Sequence, residues 1–365
     1  MSVNLLDLST PLELIGRPAQ FQRIVQVLAQ DGDLLIAGVP GCGRRTLVRR
    51  AAEEVGAILL EIDCIRATDG NRFVQLLCEA ISPSFDSQLI QDWIEKTAEE
   101  FFIFDSEAIA KLQLLPLLKP EQLWQAFELL IHLPQLLAES LGKRVVLILQ
   151  SFPHIRSWDR HQRWETFLRG EIKQQSQVSY VLITTIGEIT AHAEPDKYPL
   201  ELVQLSPLAD EILAVWAREI LHIERLTFDS RSPALELFLE AVQGHLGDAI
   251  SIIRRLQILR QPDGIIRYEQ VHQAIQGLLK DLSIVFESLL MLLPANQVHL
   301  LECLALDPTE KPQSREYILK HGLSRGGSLQ GALTGLQQKG LIYGSEQNYK
   351  LALPLLALWL RQRLI

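Results

Sequence analysis

The stretch Gly38-Val39-Pro40-Gly41-Cys42-Gly43-Arg44-Arg45-Thr46-Leu47 holds the residues best spaced for chemistry. A strand-like run, Asp33 to Ala37, precedes it and a helix-forming run follows. In that setting glycines let backbone N–H groups turn inward around a phosphate, and the helix N-terminus adds the positive end of its dipole. Gly38 and Gly43 stand at the glycine spacing of a phosphate-binding loop, with Pro40 and Gly41 between them. Such a loop continues with Lys, for phosphate, and Ser or Thr, for Mg²⁺. Here those positions are Arg44 and Arg45. Arg44 keeps the charge, but its planar fork is not a compact ammonium. Arg45 puts a cation where a metal cation would bind. Thr46 has a hydroxyl, yet lies about 100° further round the helix.

Elements able to position this loop are legible around it. Short apolar runs with β-branched content cover 33–37, 57–62, 145–149, 180–184 and 202–205, with helical stretches between most of them. That alternation predicts an α/β core, a parallel sheet with helices on both faces. Residues 70–142 read as a leucine-rich helical insertion broken by Pro83, Pro116, Pro120 and Pro134, and residues 206–280 as helices only.

With its surroundings, the loop resembles those of the AAA+ and STAND-type P-loop ATPases, which commonly read GxPGxGKT. Leu14-Ile15-Gly16-Arg17-Pro18 resembles the "hhGR" box that opens such modules. The nearest likeness is to the archaeal-type predicted ATPases, with Cdc6/Orc1-like proteins as relatives. The resemblance implies an AAA+-like core at 1–205, a helical lid at 206–280 and a winged helix at 281–365. It also places the acidic Walker B pair at the end of Val145–Leu149, where this chain has Gln150 and Ser151. Neither side chain is an anionic ligand or a base near neutral pH. Two other strand-end acids, Asp63 and Asp105, read as capping or solvated groups. Thr184 or Thr185 falls at the family's sensor 1 position. Gly247, in Gly244-His245-Leu246-Gly247-Asp248, falls where sensor 2 often has Arg. Arg163 and Arg169 precede the sensor strand, where an arginine finger can stand.

The C-terminal segment 284–365 reads as a winged helix. It has helices at 295–306, 315–321 and 328–339, a hairpin through 341–351 and a last helix at 354–364. Such modules place their third helix in a DNA major groove, and others dock proteins. Ser328, Gln330, Thr334, Gln337 and Lys339, with Arg325 and Lys350 beside them, are the candidate contacts to DNA or a protein complex. Removing 284–365 is expected to abolish that contact and leave the rest folded.

Charge and composition limit the alternatives. The 365 residues are 47% hydrophobic and 22% charged, which suits folded domains and excludes a mostly disordered chain. Residues 281–365 carry eight Lys/Arg and seven Asp/Glu, a net of +1, so the remainder carries −10 against −9 for the whole chain. Nucleic acid would need a local basic face. Cys42, Cys64, Cys78 and Cys303 are scattered, which suggests neither a zinc site nor a disulfide framework. His132, His154, His245 and His299 lack metal-ligand spacing, and Asp159, His161 and Ser151 lack a nucleophile elbow. No secretory leader or membrane insertion is expected, which reads as a cytoplasmic protein.

The expectation is therefore a catalytically inactive AAA+-like binding or scaffolding module. It would have no metal and no required cofactor, and at most weak, Mg²⁺-independent binding of ATP or ADP. An intact AAA+ partner could supply catalysis in trans. The alternative is a nucleotide-dependent switch ATPase with unorthodox residues.

Overall fold

The computed structural model describes residues 16–105, 111–172, 174–191, 200–309, 311–324, 326–344 and 349–364. Arg325, Leu14 and Ile15 lie outside these residues. Five strands form the central sheet: β1 (Leu34–Gly38), β2 (Ile58–Asp63), β5 (Val145–Gln150), β6 (Val178–Thr184) and β7 (Glu201–Leu205). Their order is β2-β5-β6-β1-β7 and every pairing is parallel. A parallel sheet covered on both faces needs apolar residues on both, hence unbroken runs such as Val-Val-Leu-Ile-Leu in β5. Along β5, Val145, Leu147 and Leu149 join one core with Phe73, Phe127 and Tyr180. Val146 and Ile148 join the other, with Ile24, Leu28, Leu47 and Val48.

That second face carries α1 (Pro18–Ala29) and α2 (Arg44–Glu54). The first carries α3 (Gly70–Ile81), α5 (Pro120–Leu141) and α6 (Arg163–Ile172). The insertion between β2 and β5 is not purely helical. Between α4 (Ser87–Trp93) and α5 lies an antiparallel hairpin, β3 (Phe102–Asp105) with β4 (Lys111–Leu114). Pro134, expected as a break, sits inside α5. An interior proline costs roughly 3 kcal/mol, but here the buried face of Leu130, Ile131, Leu133 and Leu137 holds the helix across it.

Asp33, just before β1, accepts the Tyr180 N–H at 2.8 Å. Burial pushes its carboxyl up to about 7, against the pull of that N–H. A carboxyl whose folded pKa is raised binds protons more readily when folded. Stability should then fall as pH rises from about 4 to about 7, and stay lowered above that. Asp33→Asn keeps an acceptor for Tyr180 and removes the charge. With allowance for solvent screening, a gain of about 1 kcal/mol is expected at pH 8, or ~2–4 °C in melting temperature. It should shrink to nothing near pH 4 in thermal unfolding series.

After β6 comes α7 (Ile186–Ala191) and, after β7, the lid: α8 (Asp210–Ile223), α9 (Ala234–Val242) and α10 (Leu246–Ile258). The lid was expected to be all helix. It also contains a two-residue parallel pair, β8 (Thr227–Phe228) with β9 (Ile265–Ile266). α11 (Tyr268–Met291) then runs unbroken through residue 281, so the expected seam falls inside a helix. The winged helix follows as α12 (Ala295–Leu306), α13 (Arg315–His321), α14 (Gly327–Gln338), the hairpin β10 (Ile342–Tyr343) with β11 (Lys350–Leu351), and α15 (Pro354–Leu364). Lid and winged helix share one hydrophobic core, running from Leu213, Phe238 and Ile252 to Leu301, Leu333 and Leu360. Among the described residues no helix is long and apolar enough to cross a membrane.

Candidate functional site: a glycine loop beside a closed charge cluster

The loop joins β1 to α2. Gly41 and Gly43 both hold positive φ, +79° and +88°, a region open to glycine at no steric cost. Gly43 is the N-cap of α2 and has no side chain to satisfy the first-turn N–H groups. Cys42 is buried beneath the turn, where a Cβ on Gly38 would lie 2.5 Å from its Sγ. Burial pushes the Cys42 thiol up, while Arg44 and Arg17 pull it the other way.

Arg44 reaches from the start of α2 to the end of β6. Its guanidinium donates to the Thr184 carbonyl at the end of β6, and burial lowers its pKa. Arg17, only 6% exposed, donates from Nη2 to the Ser206 carbonyl at 2.6 Å, while its buried Nε has no partner. Among the described residues neither guanidinium pairs with a carboxylate. Two poorly hydrated cations beside an uncapped helix N-terminus make this corner attractive to anions.

A charge cluster centred on Glu61 is the other half of the site. Glu61, on β2, is clasped from three sides. Arg45 and Arg49 of α2 both form ion pairs with it, and the Gln150 amide donates to it from β5. Its side chain is only 13% exposed. Parallel register brings these groups together: Asp63 pairs with Gln150, and Glu61, two residues earlier, lies on the same side. Mg²⁺ needs near-octahedral oxygen ligands at about 2.0–2.1 Å. Here the cation is Arg45 itself, Gln150 offers an amide, and the nearby carboxylate is already engaged. The residues present do not fit Mg²⁺. Glu61 and Arg49 carried no motif signal, because their pairing spans 12 residues between a helix and a strand and the Gln150 contact to Glu61 spans 89. Ser151 turns the chain out of β5 at φ +50°, and Thr46 is exposed on α2.

The lid lies directly on the loop. His245, 4% exposed, hydrogen-bonds through Nε2 to the Pro40 carbonyl at 2.5 Å. Its Nδ1 accepts the Asp248 N–H at 3.1 Å, which places the ring proton on Nε2. Burial works against a charged His245, but the Asp248 carboxylate and the Pro40 carbonyl outweigh it and raise its pKa. Gly247 donates its N–H to the Gly41 carbonyl at 3.1 Å. A Cβ on Gly41 would sit 2.7 Å from the His245 ring, so the close approach requires glycine there.

The other sequence candidates divide. Asp63 and Asp159 are caps: Asp63 accepts from Ile65 N, and Asp159 takes the N–H groups of Arg163, Trp164 and Glu165. Arg163 stacks 3.7 Å over Trp124, and Arg169 pairs with Glu165 at 2.9 Å. All four cysteines are free and buried. No group of three His, Cys, Asp or Glu among the described residues could hold a metal ion.

On the winged helix the expected polar row does not stand clear as one face. Ser328 and Gln330 are exposed, with Gln330 accepting from Gln313 at 2.5 Å. Ser328 borders a groove of about 390 Å³ between α12 and α14, lined also by Asn296, His299 and Leu329. Thr334 is half-buried, and Gln337 donates to the Gly344 carbonyl at 2.9 Å. The C-terminal end of α14 abuts α7, where a side chain at Gly187 would collide with the Gln337 carbonyl. Lys339 and Lys350 are exposed. Helical periodicity marks polar positions, but Thr334 and Gln337 are half-buried while Ser328, Gln330 and Lys339 stay exposed, with the Gln337 backbone packed against α7.

The parallel sheet in this order, the glycine loop between its first strand and helix, the helical lid and the winged helix make up a fold that solved structures share. A family model described as "Probable winged helix domain" matches residues 284–362. Over nearly its whole length the chain is similar to the Walker-type ATPase of Pyrococcus abyssi, with TM-score 0.66 and 17% identity, covering 95% of this chain and 96% of that one. It is also similar to the Orc1 protein of Aeropyrum pernix, solved in complex with DNA, with TM-score 0.52 and 17% identity, covering 99% and 97%. No curated protein sequence matches it.

Proposed function

We propose that this chain is a non-hydrolysing protein of the AAA+ fold, a binding or scaffolding module that engages its partner through the winged helix. The observation that carries this reading is the Arg45–Glu61–Gln150 cluster, which puts a guanidinium and an amide where the fold's ATPases hold Mg²⁺. Phosphoryl transfer relies on that metal and on a carboxylate to orient the attacking group. Anion binding survives in this reading, supported by the uncapped start of α2, Arg17 and Arg44. ATP or ADP is then a weak ligand whose affinity ignores the metal. Calorimetry with ATP tests this: affinities with and without Mg²⁺ should agree within about twofold, and a Mg²⁺-dependent gain of about tenfold or more would overturn it.

Duplex DNA is the partner to test first, because the Aeropyrum pernix relative was solved with DNA. The exposed Ser328, Gln330, Lys339 and Lys350 are the contacts proposed for it. Binding should weaken steeply with salt, and Lys339→Ala or Lys350→Ala should each lower the log–log slope by about one. A flat salt response would point to a protein complex instead.

A further inference from the structure

We infer that the lid and winged helix ride on the sheet domain as one body, latched onto the glycine loop by the hydrogen-bond chain Pro40–His245–Asp248–Leu355. This goes beyond the proposed function and does not depend on what the loop binds.

Two features make the body one piece. Lid and winged helix share a continuous core, and α11 crosses between them without a break. The irregular segment 206–209 is the covalent link from β7 to α8. It is held by Arg17 on the Ser206 carbonyl and by Leu208 N–H on the Gly244 carbonyl.

The seam against the sheet domain has a different character. It is built at several points from glycines that let backbones meet. Gly247 meets Gly41, Gly340 faces Thr185 and Pro40, and Gly187 faces Gln337. Tyr343 and Ala352 of the wing add apolar contact with the core that holds Val39 and Leu47. Pro40 is therefore touched from both sides, by the lid through His245 and by the winged helix beside Gly340.

Asp248 joins the two parts of the moving body. One carboxylate oxygen lies 3.2 Å from His245 Nδ1, and the other accepts the Leu355 N–H, in the first turn of α15, at 3.2 Å. A carboxylate at a helix N-terminus is favourably placed. Through His245 the same chain ends on the loop carbonyl. Loosening either end should then release both, because a rigid body cannot lift off the loop while its winged helix stays seated.

Hydrogen exchange of the full chain, followed by mass spectrometry, tests this with two variants. His245→Ala cuts the latch at the loop. Gly187→Ala wedges the seam at α14, far from His245 in sequence. In each variant exchange should rise together in segments 38–47, 244–248 and 340–343, by about fivefold to tenfold, the factor expected when one such hydrogen bond is lost. β5 and β6 should stay protected, which separates unlatching from general unfolding. The inference is overturned if either variant loosens only its own side of the seam, or if neither changes exchange at 38–47. If His245→Ala does not fold, Gly187→Ala alone decides, through its effect on 244–248.

Discussion

Phosphate release from ATP should stay below about 0.01 per second with saturating Mg²⁺, against 1–10³ per second for ordinary enzymes. The metal normally bridges the β- and γ-phosphate oxygens and neutralises the charge that develops between them. In the proposed reading the α2 hydroxyl that would ligate it gives way to Arg45, whose guanidinium pairs with Glu61. The strand-end acids give way to Gln150, bonded to the same carboxylate, and to Ser151. Arg44 donates to the Thr184 carbonyl. On that reading four groups that act together are absent or diverted, and losses within one catalytic unit are far from additive. Restoring one of them, as in Arg45→Thr, should leave the rate at background. Turnover above this ceiling that disappears in Arg44→Ala would show an active ATPase with unorthodox ligands.

Truncation after residue 283 should leave a chain that aggregates instead of a folded remnant. From the sequence this cut looked clean, since charge and pattern change near it. In the structure it passes through α11 and strips from the shared core Phe286, Leu300, Leu301, Leu304, Leu333, Leu336, Trp359 and Leu360. Each buried side chain of this size is worth roughly 1.5–3 kcal/mol. Together they come to roughly 12–24 kcal/mol, as much as or more than the roughly 5–15 kcal/mol by which whole domains are usually stable. Phe238, Val242, Ile275 and Leu279 of the lid would lose their cover. The complementary fragment 206–365 keeps the core whole and should fold alone, with a cooperative melt. A monomeric 1–283 fragment melting cooperatively near the temperature of the intact chain would show that the lid does not depend on the winged helix.

Much of the architecture was legible from local signals. Gly41 and Gly43 announce a turn because only glycine enters positive φ freely, and the strand runs announce a two-faced sheet because both faces must be apolar. The helix expected at 315–321 is α13, which Ser314 caps with its hydroxyl accepting the Tyr317 N–H and which Gly322 ends at φ +61°. Pro134 misled, because helix propensity is a local cost that the buried face of α5 outweighs. β8 and β9 were missed, because two-residue strands have no period to read.

By itself the sequence determined which residue types stand at the loop and at the β5 end. Only the tertiary structure decided what those residues meet. Arg45 and Glu61 lie 16 residues apart, Glu61 and Gln150 89, and His245 and Pro40 205. No window of sequence links such pairs. Their meeting is set by parallel strand register and by the docking of the lid and winged helix. That same docking sets Gln337 against α7 while Ser328, Gln330 and Lys339 stay exposed, because a helical period marks a polar face without saying what will be pressed against it.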